Sequence, residues 1–156
     1  MMTNYMQVVG PPKPITYVIG SGFMNPIHGG HIEYFNLAKA LGHHLTVIVN
    51  NDYQRKIKGS KEFQTEQERM LIVQNLKAVN TAFLSIDGDS SVCESIKLIY
   101  ELYRLTGHKD NKFIFAKGGD RFSHEIPEAK ICKELGIEIV DGLGSKIQSS
   151  SWLLNK

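Results

Sequence analysis

The chain has 156 residues, 42% of them hydrophobic and 22% charged, with a formal net charge of +2. This length favours one domain with a single sizeable core, and so small a charge does not indicate a nucleic-acid partner. No apolar run suits a transmembrane helix, and prolines near the N-terminus would interrupt a secretory signal. Cys93 and Cys132 lack a Cys-x-x-Cys partner, so we expect reduced thiols in a cytoplasmic protein with no membrane partner.

Short apolar runs alternate with helical patterns along the chain. Residues 1–14 are interpreted as an irregular lead-in, because their prolines disfavour a helix. The predicted strands are Ile15–Ile19, Leu45–Val49, Ala82–Ile86, Lys112–Ala116 and Ile137–Val140. Helices are predicted from Ile32 to Leu41, from a Thr65–Glu68 capping box to Val79, from Ser90 or Ser91 to Leu105, from Ile126 to Leu135 and from Ser149 to Leu154. This alternation predicts an α/β fold, with an open five-stranded parallel sheet flanked by helices.

One stretch at a strand-to-helix junction carries the clearest chemical pattern, Gly22-Phe23-Met24-Asn25-Pro26-Ile27-His28-Gly29-Gly30-His31. The N-terminus of a helix favours anions, because it combines free N–H groups with the positive end of the helix dipole. Glycines let the backbone approach a ligand closely. His28 and His31 share one face and can donate hydrogen bonds to phosphate oxygens. A zinc site is not indicated, since no third ligand lies nearby.

Three further segments follow predicted strands, whose carboxyl ends meet at one edge of a parallel sheet. Residues 50–64 are polar, and Arg55–Lys61 is predicted to be a basic loop with Arg55, Lys56, Lys58 and Lys61, although such runs are usually solvated surface. Lys117-Gly118-Gly119-Asp120 would admit a base or ribose, with Asp120 as hydrogen-bond acceptor, but a plain turn also uses this pattern. Ser149-Ser150-Ser151 could hold phosphate at a helix start, although capping needs only one serine.

The ten-residue stretch resembles the signature of the nucleotidylyltransferase superfamily, also called cytidylyltransferase-like. Both histidines, the glycine between them and Asn25-Pro26 match, whereas Met24 stands where phenylalanine is usual and Asn25 where many members carry aspartate. Lys58-Gly59, Glu68-Arg69-Met70, the Lys-Gly-Gly-Asp block and the terminal serines resemble the heptose-1-phosphate adenylyltransferase domain in particular. The resemblance implies a single Rossmann-like nucleotidylyltransferase domain over residues 15–156.

The resemblance also implies an activity, namely transfer of a nucleoside monophosphate from a nucleoside triphosphate to a small phosphorylated acceptor. ATP and a sugar 1-phosphate are the expected substrates, Mg²⁺ would accompany the triphosphate, and relatives are commonly dimeric, so a homodimer is conceivable. The implied catalytic residues are His28, His31 and Lys58. The implied nucleotide- and phosphate-binding residues are Gly22, Phe23, Met24, Asn25, Gly30, Lys56, Arg69, Lys117, Gly118, Gly119, Asp120, Ser149, Ser150 and Ser151.

Several alternatives stay open at this point. Within the superfamily these are a glycerol-phosphate cytidylyltransferase that uses CTP and a mononucleotide adenylyltransferase of the pyridine-nucleotide type. The first is disfavoured, because residues 142–146 lack the arginine that precedes the serine motif in polyol-phosphate cytidylyltransferases. Outside enzymes, the chain could be a nucleotide-binding sensor or a plain interaction module. Arg69 could equally be an ion-paired surface residue.

Overall fold

The computed structural model describes residues 13–119 and 126–144, and these ranges contain five strands and five helices. The strands are β1 (Thr16–Gly22), β2 (His44–Val49), β3 (Thr81–Leu84), β4 (Lys112–Gly118) and β5 (Glu138–Leu143). The helices are α1 (Gly29–Lys39), α2 (Asp52–Lys58), α3 (Glu66–Gln74), α4 (Cys93–Thr106) and α5 (Ala129–Leu135). None of these helices is long and apolar enough to cross a membrane.

All the strands are parallel, and they form one sheet in the order β3-β2-β1-β4-β5. This confirms the predicted α/β architecture. The chain moves outward from β1 to β3 and then returns to place β4 beside β1. The strand order therefore reverses between β1 and β4, which is where ligands bind in open α/β sheets, beyond the carboxyl ends of the strands.

The neighbouring strands β1 and β4 separate towards this edge. Their pairing runs from Thr16↔Lys112 to Ile19↔Phe115. Beyond it, the hydroxyl of Tyr34 on α1 donates to the carbonyl of Ala116 at 2.5 Å and accepts from the N–H of Ser21 at 3.2 Å. The backbone groups freed by the separation are thus satisfied by a side chain, and the space between the strand ends is open.

Alternate residues of the strands divide the core between the two faces of the sheet. Val18 packs with α1 and α3 on one face, while Ile19 packs with α4 and α5 on the other, and both side chains are fully buried. Strands covered on both sides read as continuous apolar runs, which is why Leu45–Val49 was visible in the sequence. Burial of both faces is the main source of stability and fixes the strand ends relative to one another.

The helix boundaries agree in part with the sequence predictions. Thr65 caps α3 by accepting from the N–H of Glu68 at 3.2 Å, although the described structure lacks the return bond from Glu68. The helices α4 and α5 end at Thr106 and Leu135, close to the predicted ends at Leu105 and Leu135, and Gly107 and Gly136 are their C-caps. The predicted ends near Leu41 and Val79 are wrong, because α1 stops at Lys39 and α3 at Gln74. The predicted helix at residues 149–154 and most of the lead-in lie outside the described residues.

The prediction of a basic loop from Arg55 to Lys61 is wrong in its first half, because Arg55–Lys58 belong to α2. Asn51 accepts from the N–H of Gln54 at 2.8 Å, and the Gln54 side chain accepts from the N–H of Asn51 at 2.9 Å. Gly59, with a φ of 82°, ends the helix in the left-handed conformation. The reciprocal bonds stabilise a helix too short to show a clear hydrophobic period.

Candidate active site

A cleft of about 360 Å³ lies where the carboxyl ends of the central strands meet. Its walls come from the ends of β1 and β4 and from the segments that follow β2 and β3. The residues that line it beside β1 and β2 are Ser21, Gly22, Phe23, Asn50 and Lys58, and those beside β3 and β4 are Ser90, Val92, Lys117, Pro127 and Glu128. The cleft therefore occupies the position that the strand order marks as a ligand site.

The two histidines of the signature lie together at the start of α1. His28 is the N-cap, and its Nδ1 accepts from the N–H of Gly30 at 3.1 Å. Nδ1 of His31 accepts from the N–H of His28, also at 3.1 Å. The ring centroids are 4.0 Å apart. Because both Nδ1 atoms accept hydrogen bonds, each neutral ring carries its proton on Nε2, which is a donor for an anionic ligand.

The surroundings of both rings favour the neutral form. Burial lowers the pKa of His28. Burial lowers the pKa of His31 to about 4, and the nearby His28 acts in the same direction. At neutral pH the pair therefore presents two uncharged N–H donors rather than two cations. A bound phosphate would favour the protonated form and raise both pKa values again.

Gly30 is needed for this arrangement. A Cβ at this position would lie 2.9 Å from Cε1 of His28, closer than side-chain carbons approach one another. The His28 ring therefore folds back over the first turn of α1 because Gly30 leaves room for it.

Met24 and Asn25 are the buried residues of the loop that joins β1 to α1. Met24 has a φ of 50°, and both side chains are buried. The side-chain oxygen Oδ1 of Asn25 accepts from the N–H groups of Phe63 and Gln64, each at 3.0 Å, and its Nδ2 donates to the backbone carbonyl of Lys61 at 2.7 Å. This position favours a structural role in which the loop is held against residues 61–64. Direct contact of these two side chains with the nucleotide stays a prediction.

Arg69 is fully buried beneath the strand ends. One guanidinium nitrogen, Nη1, donates to the carbonyls of Phe23 at 2.8 Å and Asn50 at 2.6 Å, which follow β1 and β2. Nη2 pairs with the carboxylate of Asp52 at 2.8 Å, and Nε donates to the carbonyl of Gln64 at 3.2 Å. The alternative of a surface ion pair is wrong, and the bonds favour a role in holding the two loops rather than binding phosphate.

The basic residues near α2 occupy different environments. Lys58 lines the cleft, and its Nζ lies 4.4 Å from the centroid of the Phe23 ring. Lys56 and Lys58 are both exposed, but Lys56 is absent from the described lining of the cleft. Arg55 is buried and donates to the carbonyl of Ser60 at 2.6 Å. Of the two lysines predicted to bind phosphate, Lys58 is the better placed.

The segment after β4 is described only in part. Lys117 lines the cleft, and its Nζ lies 5.7 Å from the centroid of Phe115. Gly118 faces Tyr34, whose ring would lie 3.3 Å from a Cβ at this position, and Gly119 has a φ of 73°. Asp120 and the serines Ser149, Ser150 and Ser151 lie outside the described residues. Their roles stay predictions.

Glu128 and Asn50 line the cleft but were missing from the sequence prediction. Their side chains are 5% and 4% exposed, respectively. The Asn50 amide donates to Gln54 at 3.1 Å, and the Glu128 carboxylate accepts from the N–H of Val92 at 3.0 Å. Glu128 belongs to no recognisable motif, because a glutamate at the start of a helix usually serves the helix dipole. Only the packing of α5 against the start of α4 brings Glu128 to the cleft.

Comparison with known proteins agrees with this geometry. The profile of the cytidylyltransferase-like family matches residues 19–140, which include the histidine pair, Lys58, Lys117 and Glu128. The chain belongs to the cytidylyltransferase-like family. The match confirms the resemblance seen in the sequence. The chain is therefore an enzyme of the nucleotidyltransferase class, as its curated relatives are.

Two curated relatives and one solved structure illustrate the match. An FAD synthase of Picrophilus torridus is 26% identical over 138 residues, covering 86% of this cytidylyltransferase-like chain and 90% of the relative. The bifunctional protein HldE of Wolinella succinogenes is 30% identical over 141 residues, which cover 85% of this chain and 27% of that relative. The chain thus spans about a quarter of that relative. The solved structure of a lipopolysaccharide core biosynthesis protein from Thermoplasma volcanium superposes with a TM-score of 0.64 at 24% identity. The superposition covers 83% of this chain and 98% of that protein, and it shows that the two share a fold.

Proposed function

We propose that this enzyme transfers the adenylyl group of ATP to a small phosphorylated acceptor and releases pyrophosphate. The observation that carries the proposal is the pair of Nε2–H donors of His28 and His31 at the N-terminus of α1. Neither ring belongs to the described lining of the cleft, but their loop continues from residues 21–23, which line the cleft together with Lys58 and Lys117. Donors that are fixed before the substrate arrives stabilise charge without reorganising. Neutral imidazoles and lysine side chains together suit a triphosphate.

The reaction follows from the chemistry of the substrates. A phosphate oxygen of the acceptor attacks the α-phosphorus in line, and the bond from that phosphorus to the bridging oxygen breaks as pyrophosphate leaves. The attacking oxygen is already anionic, so no side chain need remove a proton. His28 and His31 donate to the oxygens on which negative charge grows, and Lys58 steadies the departing phosphates. Catalysis then comes from positioning and electrostatic stabilisation.

Mg²⁺ enters this proposal with the nucleotide. Among residues 13–119 and 126–144, no group of three or more His, Cys, Asp or Glu side chains is arranged to hold a metal ion. Magnesium at nucleotide sites is commonly bound by substrate phosphates and water, with few protein ligands. The described residues fit such an ion if it arrives as part of the Mg–ATP complex, where it would neutralise phosphate charge.

Two classes of acceptor have specific support. A sugar 1-phosphate is supported by the motifs shared with heptose-1-phosphate adenylyltransferase and by the 30% identity to the bifunctional protein HldE. Flavin mononucleotide is supported by the FAD synthase match, which spans nearly all of both chains. Both acceptors present a phosphate monoester to the same α-phosphorus. A cytoplasmic location and a homodimer also remain part of the proposal.

A pyrophosphate-release assay tests the proposed function. The full chain is incubated with Mg²⁺, with ATP or CTP, and with aldose 1-phosphates, glycerol 3-phosphate, nicotinamide mononucleotide or flavin mononucleotide. We expect release with ATP and either an aldose 1-phosphate or flavin mononucleotide, and mass spectrometry should detect the adenylylated acceptor. Release that requires CTP and glycerol 3-phosphate would contradict the assignment, as would nucleotide binding without turnover of any acceptor.

A further inference from the structure

Glu128 is a buried carboxylate in a cleft that also contains lysines. Its side chain is 5% exposed and lines the cleft between the starts of α4 and α5. Within the described residues, its one hydrogen bond joins Oε2 to the N–H of Val92 at 3.0 Å. A carboxylate has two oxygens and accepts about four hydrogen bonds. Oε1 thus keeps accepting capacity in a residue that lines the cleft.

The N-terminus of α4, which begins after Val92, does not need both carboxylate oxygens of Glu128 as hydrogen-bond acceptors. The N–H groups of Glu94 and Ser95, in the first turn of α4, bond to the Asp87 carboxylate at 2.8 and 3.0 Å. The N–H of Cys93 reaches the hydroxyl of Ser91 at 3.4 Å. Glu128 therefore caps a single N–H group, and the charged side chain is larger than that task requires.

The two faces of the sheet separate Glu128 from the histidine pair. His28 and His31 begin α1, which packs on the face that contains Val18, whereas Glu128 precedes α5 on the face that contains Ile19. In an in-line displacement the nucleophile and the leaving group lie on opposite sides of the phosphorus. If the leaving phosphates rest on the α1 side, the acceptor comes from the side of α4 and α5.

We infer that Glu128 is a specificity-determining residue that accepts hydrogen bonds from hydroxyl groups of the acceptor. The inference rests on the proposed function, and it defines the acceptor as a phosphate ester with hydroxyl groups near the phosphate. The cleft supports this class, because Lys117 attracts the anionic end of the acceptor, whereas Glu128 repels that end and attracts hydroxyl donors. Both a sugar phosphate and the ribityl chain of flavin mononucleotide have this chemistry.

The test uses calorimetry of the full chain with α,β-methylene-ATP, whose carbon bridge prevents turnover. Aldose 1-phosphates and flavin mononucleotide form the two hydroxyl-bearing arms, and cyclohexyl phosphate is the hydroxyl-free reference. We expect the better hydroxyl-bearing ligand to bind about 10- to 100-fold more tightly than cyclohexyl phosphate, the range for hydrogen bonds to a charged group. The arm that binds more tightly identifies the acceptor class. Equal binding of all three ligands overturns the inference without any variant.

Glu128→Gln then assigns the preference to this carboxylate. The amide oxygen can still accept from the N–H of Val92, which leaves an N–H₂ group facing the ligand. We expect the preference for hydroxyl groups to fall to within about threefold, with the affinity for α,β-methylene-ATP unchanged. Glu134→Gln, at an exposed position on α5, is the matched control and should keep the preference.

Each remaining outcome is decisive. A preference that survives in Glu128→Gln, or a loss of nucleotide affinity with acceptor binding intact, overturns the inference and leaves Glu128 as a helix cap. If Glu128→Gln does not fold, Glu128→Asp replaces it, and its shorter carboxylate should weaken the preference. Failure of the wild-type chain to bind α,β-methylene-ATP would instead contradict the proposed function, so the two failures are distinguishable.

Discussion

His31 accepts a hydrogen bond from the backbone N–H of His28 through Nδ1, at 3.1 Å. This bond fixes the ring and puts its proton on Nε2. His28 is fixed in the same way by Gly30. The two rings therefore act as preformed donors before any nucleotide binds.

Gly30→Ala should disturb the pair without unfolding the protein. Its Cβ would lie 2.9 Å from the His28 ring, so the ring must move and its Nε2 loses its orientation. We expect kcat/KM for pyrophosphate release to fall at least about tenfold. Gly29→Ala is the matched control, because a Cβ there meets nothing within 4 Å. The control should keep full activity and gain up to about 1 kcal/mol of stability from its helix propensity. Equal activity of the two variants would contradict the role of Gly30.

Lys58 and Lys56 provide a second matched pair on one short helix. Both lysines are exposed, but Lys58 lines the cleft and Lys56 is absent from its described lining. We expect Lys58→Ala to lower kcat/KM about 10²- to 10³-fold, the usual effect of losing a group that stabilises phosphate charge. Lys56→Ala should stay within about twofold of the parent, because salt at physiological ionic strength screens a charge that does not contact the ligand. A larger loss of kcat/KM in Lys56→Ala than in Lys58→Ala would instead indicate that Lys56 contacts the phosphate.

Arg69→Lys should reduce stability. A lysine ammonium cannot reach the carbonyls of Phe23 and Asn50 and the carboxylate of Asp52 at once, so buried acceptors lose their donor. We expect the free energy of unfolding, measured with urea, to fall by about 2–4 kcal/mol. Arg104→Lys, at an exposed arginine of α4, should change it by less than about 0.5 kcal/mol. Unchanged stability with a raised KM for ATP would instead show that Arg69 binds phosphate.

Stability should depend on pH through His31. Its pKa is about 4 in the folded chain, against an ordinary value of 6.5, so the unfolded chain binds more protons between these values. The free energy of unfolding therefore keeps this contribution above pH 6.5 and loses about 1.4 kcal/mol per pH unit as the pH falls from there towards 4. His28 and His44 add smaller losses in the same direction. Urea unfolding at several pH values should show a shallower decline in His31→Gln, and identical slopes would exclude this linkage.

The sequence could predict the strands and their common edge, but not the polar groups that complete the site. Leu45–Val49 is continuous and apolar because both sides of the sheet are covered, and such runs are visible without a structure. The short helix α2 has too few residues for a hydrophobic period, although Asn51 and Gln54 carry a capping pattern that could have indicated it.

Contacts between distant residues explain the rest. Arg69 bonds to carbonyls of Phe23 and Asn50, and every residue has a carbonyl, so nothing in the sequence marks these partners. Glu128 accepts a hydrogen bond from the N–H of Val92, which lies 36 residues away in the sequence, because two helices pack together on one face of the sheet. Spacing along the chain indicates local pairs such as His28 and His31, whereas these contacts depend on the assembled sheet.

The most direct measurement is the rate of pyrophosphate release by His31→Ala with saturating Mg–ATP and the best acceptor of the panel. We expect kcat to fall about 10²- to 10³-fold while circular dichroism and the unfolding midpoint at pH 7.5 stay near those of the parent. His108→Ala, at a histidine of the opposite edge of the sheet, should keep the parental rate. A folded His31→Ala enzyme whose kcat lies within threefold of the parent would contradict the claim that the histidine pair stabilises the transferring phosphate.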